Sequence, residues 1–188
     1  MKIRLAAYLQ SDSIVDGEGI RTVIWTQGCP HHCLGCHNPE TWSFDDGAEV
    51  DLEEVCEIID TLEGQDGITF SGGDPFMQPK ACAEIARYAR SKGLNIWSYT
   101  GFYYEELIKL SEKNKDIMDF LKELDVLVDG RFILDKKSFN CIFRGSTNQS
   151  VIDVKQSLKK KKKVLIDKYV MKDSAIINNR KKQEGVFI

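Results

Sequence analysis

Hydrophobic positions along the chain fall into short dense runs and longer spaced stripes that alternate. Ile20-Arg21-Thr22-Val23-Ile24-Trp25-Thr26 is rich in β-branched residues and nearly continuous in apolar character, the pattern of a strand buried on both faces. Leu52, Val55, Ile58, Ile59 and Leu62 then recur at helical spacing and form one apolar stripe. Asp51 stands as its N-cap with Glu54 three residues on, and Gly64 and Gly67 end it. Ile68-Thr69-Phe70 begins a second strand. A second helix is expected over Pro79 to Lys92, with Ala81, Cys82, Ile85, Ala86 and Ala89 inward and Gly93 as C-cap. Leu94 to Tyr99 is a third strand, ending at Thr100-Gly101. Tyr104 to Leu124 carries helical pattern interrupted near Asn114, and Val126-Leu127-Val128 is a fourth strand ending at Asp129-Gly130. Met1 to Leu9 reads as an edge strand and Cys141-Ile142-Phe143 as a fifth strand of the series.

Strand, loop and helix repeated in this way argue for an α/β fold whose parallel sheet is built of right-handed β/α units. The units fall short of eight, so the expected form is an open, partial (β/α) barrel with one concave side left for a substrate or partner. In such architectures sites are built at the carboxyl ends of the strands. From Val151 the composition changes: Lys159 to Lys163 is a run of lysines, followed by an apolar patch from Val164 to Met171 and a polar stretch from Asn178 to Lys182. Residues 1–150 are assigned to the barrel domain and 151–188 to a lysine-rich extension that is not a separate domain. The lysine run itself reads as a solvated helix face or tail.

At 188 residues the chain is long enough for one domain with a sizeable core and too short for two ordinary ones. Its 42% hydrophobic and 29% charged residues are the balance of a soluble globular protein. No stretch approaches the roughly twenty apolar residues of a membrane span. The basic start Met1-Lys2-Ile3-Arg4 is followed too soon by Gln10-Ser11-Asp12 for a signal peptide, which makes a cytoplasmic location the expectation. A net charge of −3 argues against a nucleic-acid partner. The cysteines do not form a disulfide framework: Cys29, Cys33 and Cys36 cluster, whereas Cys56, Cys82 and Cys141 are scattered. Cys56 and Cys82 fall on apolar helix faces and read as small buried hydrophobes.

The clustered cysteines leave the carboxyl end of the first buried strand, in Gly28-Cys-Pro-His-His-Cys-Leu-Gly-Cys-His-Asn-Pro-Glu-Thr-Trp42. Two metal chemistries fit the residue types. A structural zinc site would take the three thiolates plus His31, His32 or His37 as Cys3His. A four-iron four-sulfur cluster held by only three cysteines would leave one iron open to a ligand that is not protein. Zinc sites usually pair two Cys-x-x-Cys knuckles across a longer loop, and here all ligands lie in one short loop, which favours the cluster. One β/α unit later, Ser71-Gly72-Gly73-Asp74-Pro75 places a glycine-rich turn at the same end of the second strand.

The Cys-x-x-x-Cys-x-x-Cys spacing together with Ser71-Gly72-Gly73-Asp74-Pro75 resembles the radical S-adenosylmethionine enzymes. More narrowly, Asp16-Gly17-Glu18-Gly19-Ile20-Arg21, Cys36-His37-Asn38-Pro39-Glu40-Thr41-Trp42, Asp125-Val126-Leu127-Val128-Asp129-Gly130 and Arg144-Gly145-Ser146-Thr147-Asn148-Gln149 resemble the activating proteins of anaerobic ribonucleoside-triphosphate reductases. The likeness runs in order from Asp16 to Gln149 and does not cover the lysine-rich end. It implies an oxidoreductase in which Cys29, Cys33 and Cys36 ligate one [4Fe-4S] cluster. The backbone of Gly35, Cys36 and His37 would lie along S-adenosyl-L-methionine, with Gly72 and Gly73 at its amino group. Thr100 and Asp129 are further contacts or plain turn residues. Many radical enzymes carry an aromatic residue where this chain has Gly35, which leaves Trp42 and Tyr99 as candidates for adenine. No catalytic residue is implied beyond cluster and cosubstrate, and Arg144 to Gln149 is a hallmark without a derivable role.

The implied reaction is reductive cleavage of S-adenosylmethionine and removal of a hydrogen atom from a glycine Cα of the reductase, leaving a glycyl radical there. An electron donor such as flavodoxin or ferredoxin would feed the cluster. The alternatives are an activator of another glycyl-radical enzyme such as pyruvate formate-lyase, a small-molecule radical enzyme such as a deazaguanine-forming one, and a zinc-stabilised binding module without catalysis.

Overall fold

The apolar runs lie side by side in one sheet. The computed structural model describes residues 1–170; Met171 and the polar stretch from Asn178 to Lys182 lie outside the described residues. In chain order the strands and helices are β1 (Lys2–Leu5), β2 (Gln10–Ser13), β3 (Arg21–Thr26), β4 (Ala48–Asp51), α1 (Leu52–Asp60), β5 (Gly67–Gly72), α2 (Pro79–Ser91), β6 (Asn95–Tyr99), α3 (Tyr104–Ser111), α4 (Lys115–Glu123), β7 (Val126–Asp129), β8 (Ser150–Asp153) and α5 (Val154–Lys160). The sheet runs β4-β1-β3-β5-β6-β7-β8, with β2 also paired to β3. Its centre is parallel, β3 to β5, β5 to β6 and β6 to β7, in β/α units with α2 between β5 and β6 and α3 and α4 between β6 and β7.

The expected partial (β/α) barrel is therefore present, with edges the hydrophobic pattern did not announce. β1, β2, β4 and β8 pair antiparallel, and β4, not β1, is the outer strand on its side. β2 and β4 are short and mostly exposed, so no apolar alternation marks them. The proposed strand at 141–143 is absent. Phe143 has φ +57°, a left-handed conformation incompatible with a strand, and that stretch is a turn. The eighth strand lies instead at Ser150–Asp153, paired with β7 so that Val151 opposes Val128 and Ile152 opposes Leu127. The sheet thus continues across residue 150.

Side-chain alternation splits the sheet into two faces. Ile24, Phe70, Ile96, Leu127 and Ile152 point to the helices and form the large core with Val55, Ile85, Ala86, Leu107 and Phe120. The inward positions of α2 are those its spacing indicates. Asn114 interrupts the next helical stretch by capping α4, its side-chain oxygen accepting the Asp116 N–H at 3.1 Å. The opposite face carries a smaller aromatic and β-branched cluster of Trp97, Val126, Val128, Val151 and Tyr169, with Tyr99 and Phe143 against it. Tyr169 comes from the segment after the lysine run, which returns to the sheet beside β8.

The lysine run itself divides. Lys159 to Lys162 are exposed, as a solvated face requires, but Lys163 is half-buried with its Nζ 2.7 Å from the carboxylate of Asp129 at the end of β7. Among the described residues no helix is long and apolar enough to cross a membrane.

Candidate iron–sulfur and cosubstrate site

The cysteine loop begins where β3 ends, and the glycine turn begins where β5 ends, because the two strands are parallel neighbours in register from Arg21/Gly67 to Thr26/Gly72. Their exits are packed backbone to backbone. Gly73 N–H donates to Thr26 O at 2.7 Å, and Asp74 N–H to Gly28 O at 2.8 Å. A Cβ on Gly72, at φ +92°, would stand 2.6 Å from Thr26 O, and one on Gly73 would stand 2.5 Å from Gly28 O. The glycines are required by this contact with the chain's own backbone. They also line the cavity above it.

That cavity holds about 590 Å³. Cys29, Cys33 and Cys36 all line it, together with Gly72, Gly73, Thr100, His37, Trp42 and Tyr99. The three thiols are free and half-buried. Burial pushes the Cys29 thiol up to about 11, opposed by the backbone N–H of His31. It also raises Cys33, opposed by the N–H of Phe132. A thiolate in this setting wants a cationic metal as its counter-charge. The Asn38 N–H already points at Cys36 Sγ, 3.4 Å away.

The donor set fits a cluster better than a single ion. A Cys3His zinc site needs all its donors, a histidine among them, on one point. A cluster takes each thiolate on a different iron, so its cysteines need a shared cavity. The histidines are also engaged elsewhere. His31 Nε2 lies 2.8 Å from Asp74 Oδ2, His32 stands edge-on to Trp42 at 4.9 Å, and His37 packs on Phe132 at 5.2 Å.

The remaining sequence candidates are placed unequally. Gly35 is exposed and is not among the residues lining the cavity; a Cβ there would sit 3.0 Å from Leu134. Thr100 lines the cavity, but its hydroxyl is shared between both oxygens of Asp74 at 3.1 and 3.0 Å. Asp129 is fully buried and is not among the residues lining the cavity; its neighbour Gly130 is. Its Oδ2 accepts the Tyr104 N–H at 2.8 Å at the start of α3 and faces Lys163. Trp42 and Tyr99 both line the cavity, and the Trp42 indole N–H is buried without a partner among the described residues.

Two features escaped the sequence. Arg144 to Gln149 forms the far wall of the cavity as a stapled loop. Gln149 Oε1 accepts the Gly145 and Ser146 N–H groups at 2.9 and 3.1 Å, and its Nε2 donates to Gly130 O at 2.9 Å. Arg144 donates to Gln149 O at 2.8 Å and to Tyr169 O at 2.5 Å. Only a three-dimensional partner list reveals this role, since every acceptor but one is backbone. The other is Asp74, a fully buried carboxylate beneath the cavity. Its signal was available: an acid between Gly-Gly and Pro at a buried strand end must find donors.

The 4Fe-4S single cluster domain family matches residues 15–152. The anaerobic ribonucleoside-triphosphate reductase-activating protein of Salmonella typhimurium is 37% identical over 146 residues, covering 73% of this chain and 91% of that protein. The protein of the same name from Escherichia coli K12 is 35% identical over 147 residues, with the same coverage. The pyruvate formate-lyase-activating enzyme of Clostridium pasteurianum is 37% identical over 112 residues, which span 46% of its length. With its cysteine loop and glycine turn built on adjacent parallel strands, the chain belongs to the family of anaerobic ribonucleoside-triphosphate reductase-activating proteins carrying a single 4Fe-4S cluster domain.

Proposed function

We propose that this protein is the radical S-adenosylmethionine oxidoreductase that activates an anaerobic ribonucleoside-triphosphate reductase by generating a glycyl radical on it. The observation that carries the reading is the convergence of Cys29, Cys33 and Cys36 on one cavity that the Gly72–Gly73 turn also lines. In this reading the three thiolates hold one [4Fe-4S] cluster. The chemistry supplied with the cluster bound is one-electron cleavage of S-adenosylmethionine to methionine and a 5′-deoxyadenosyl radical, which takes a hydrogen atom from a glycine Cα.

The chain's own residues bind, orient and shield. The backbone of Cys36, His37, Gly72 and Gly73 borders the place of the methionyl group, with Gly35 just before Cys36 in the loop. Trp42 offers a buried N–H that has no partner among the described residues, and Tyr99 a ring, to the adenosyl group. Thr100 acts through Asp74, and Asp129 through the N-terminus of α3. The loop from Phe132 to Gln149 excludes water from the far side. The partner is the reductase, the electron donor a flavodoxin or ferredoxin, and the setting the cytoplasm; no nucleic acid or membrane takes part. Activation of a pyruvate formate-lyase is the second reading, supported by the shorter match to that activating enzyme.

The test is the electron paramagnetic resonance spectrum of anaerobically reconstituted, reduced protein with and without S-adenosylmethionine. A reduced-cluster signal that changes shape on addition supports an open iron that takes the cosubstrate. Bound zinc and no signal overturn the reading. Incubation with each glycyl-radical enzyme then separates the two partners by which one acquires the radical signal.

A further inference from the structure

The limb of the cysteine loop from Gly28 to Cys33 is tied to the sheet through one residue, Asp74. Its backbone N–H donates to Gly28 O at 2.8 Å, immediately before Cys29. Its carboxylate meets the ring of His31, between Cys29 and Cys33, with Nε2 to Oδ2 at 2.8 Å. The same carboxylate accepts the Thr100 hydroxyl and the Gly101 N–H at 3.0 Å from the end of β6, and the Phe76 N–H at 3.0 Å from its own turn. The His31 and Asp74 side chains are only 3% and 1% exposed, so this joint is dry. Phe102 stands edge-on to the imidazole at 4.5 Å. Gly101 passes so close to the ring that any Cβ there would collide with it. A dry carboxylate satisfied by four donors from three segments fixes those segments relative to one another.

The other limb is held differently. Cys36 accepts the Asn38 N–H, and the strand exit is pinned by Gly28 N–H to Thr41 O at 2.9 Å and Cys29 N–H to Trp42 O at 3.0 Å. None of these bonds involves His31 or Asp74. The limbs share these backbone bonds, and Cys36 N–H also donates to Cys33 O at 3.0 Å, so the His31–Asp74 contact is the side-chain anchor that belongs to the first limb alone.

We infer that His31 is a positioning residue, locked by Asp74, which sets where Cys29 and Cys33 stand above the ends of β5 and β6. This rests on the cluster reading for its purpose, since the placement of two of three ligands decides how the open iron faces the Gly72–Gly73 turn. It does not rest on that reading for its test. Its atoms are the chain's own.

The experiment compares wild type, His31→Leu and His31→Gln, whose amide nitrogen can occupy about the position of Nε2. In the apo-protein, anaerobic and reduced, limiting iodoacetamide is followed by mass spectrometry at each cysteine. The expected result for His31→Leu is alkylation of Cys29 and Cys33 faster by about tenfold or more, because a hydrogen bond to a buried charge is lost and the limb opens locally. Cys36 should stay within about twofold, and His31→Gln should return Cys29 and Cys33 towards wild type. Unchanged rates at Cys29 and Cys33 overturn the inference; so does an equal rise at Cys36, which marks a general loosening.

After reconstitution, His31→Leu should give a reduced-cluster signal whose change on adding S-adenosylmethionine is weakened, with restoration in His31→Gln. A wild-type response in His31→Leu overturns the positioning role. If wild type itself takes up no iron, the cluster reading fails while the alkylation pattern still decides the anchor. Should His31→Leu not fold, His31→Asn, too short to reach Asp74, takes its place.

Discussion

The two ends of the parallel sheet each bury a charge, and they treat it in opposite ways. At the carboxyl end the charge is Asp74, which gathers donors from the loops around an open cavity. At the amino end it is Arg21, 1% exposed, under the other end of the same strands. Its Nε donates to Thr69 Oγ1 at 2.7 Å, and its terminal nitrogens donate to Ile68 O, Asn95 O, Glu18 O and Asn95 Oδ1. The guanidinium also stands 5.3 Å from the Trp97 ring centre. Burial lowers its pKa to about 10, which leaves it charged at neutral pH. Every donor group of Arg21 has its acceptor within the protein. The upper end is left with half-buried thiols and a Trp42 N–H that has no partner among the described residues. The difference separates a plug from a site.

The largest expected effect breaks the upper end only. Cys29→Ala, Cys33→Ala or Cys36→Ala should each reduce iron content and glycyl-radical formation to background. Cys56→Ala, half-buried on α1 and outside the cavity, should leave both near wild type. Iron and sulfide analysis with the radical signal on the reductase checks this. A Cys33→Ala protein with full iron would remove that thiol from the ligand set.

Next comes the floor. Arg21→Met strands several buried acceptors at about 1–3 kcal/mol each, so a loss of about 3 kcal/mol or more in urea unfolding is expected. The folded fraction should still load iron to the wild-type level. Lost iron binding in folded Arg21→Met would couple the two ends and dissolve the contrast.

The strands these two ends belong to were legible because parallel strands covered by helices must be apolar on both faces, as Val23-Ile24 and Val126-Leu127-Val128 are. The same rule concealed β2, β4 and β8. Gln10–Ser13 and Ala48–Asp51 are exposed edges with nothing to bury, and Ser150–Asp153 follows a polar loop that draws attention from it. Cys141-Ile142-Phe143 has strand composition, yet Ile142 is exposed at the turn and Phe143 takes a left-handed backbone to reach Trp97. In the site, the cysteines and glycines were readable because their chemistry is local in sequence. Asp74, His31 and Gln149 act on partners tens of residues away or on backbone, which no spacing records.

Gly73→Ala sharpens the upper end with a smaller effect. The new Cβ meets backbone that cannot rotate aside, so a loss of about 1–3 kcal/mol is expected, with weaker iron retention because the displaced atom is Gly28 O, next to Cys29. Gly93→Ala is the control. Its φ is +84°, a conformation Gly73 does not adopt, but its Cβ would enter open space, so about 1 kcal/mol of backbone strain and unchanged iron are expected.

The smallest effect lies at the lower rim, where the segment after the lysine run is fastened to the floor. Glu18 accepts Lys168 Nζ at 2.6 Å and the Tyr169 hydroxyl at 3.0 Å. The Lys168 bond, then that of Tyr169, holds the Glu18 carboxyl below its ordinary value of 4.5. A carboxylate favoured in the folded state contributes stability above its unfolded pKa and loses it as pH falls through the lower folded one. Glu18 and Lys168 are mostly exposed, so Glu18→Gln should cost at most about 1 kcal/mol near neutral pH, and less in high salt. The gap between wild type and variant should close as unfolding is measured at pH values falling from 4.5 downward. Throughout, iron content should not move. If it does, the fastening reaches the cavity through Arg144, whose guanidinium holds the Tyr169 carbonyl and the Gln149 wall at once, and the lower rim would be part of the site.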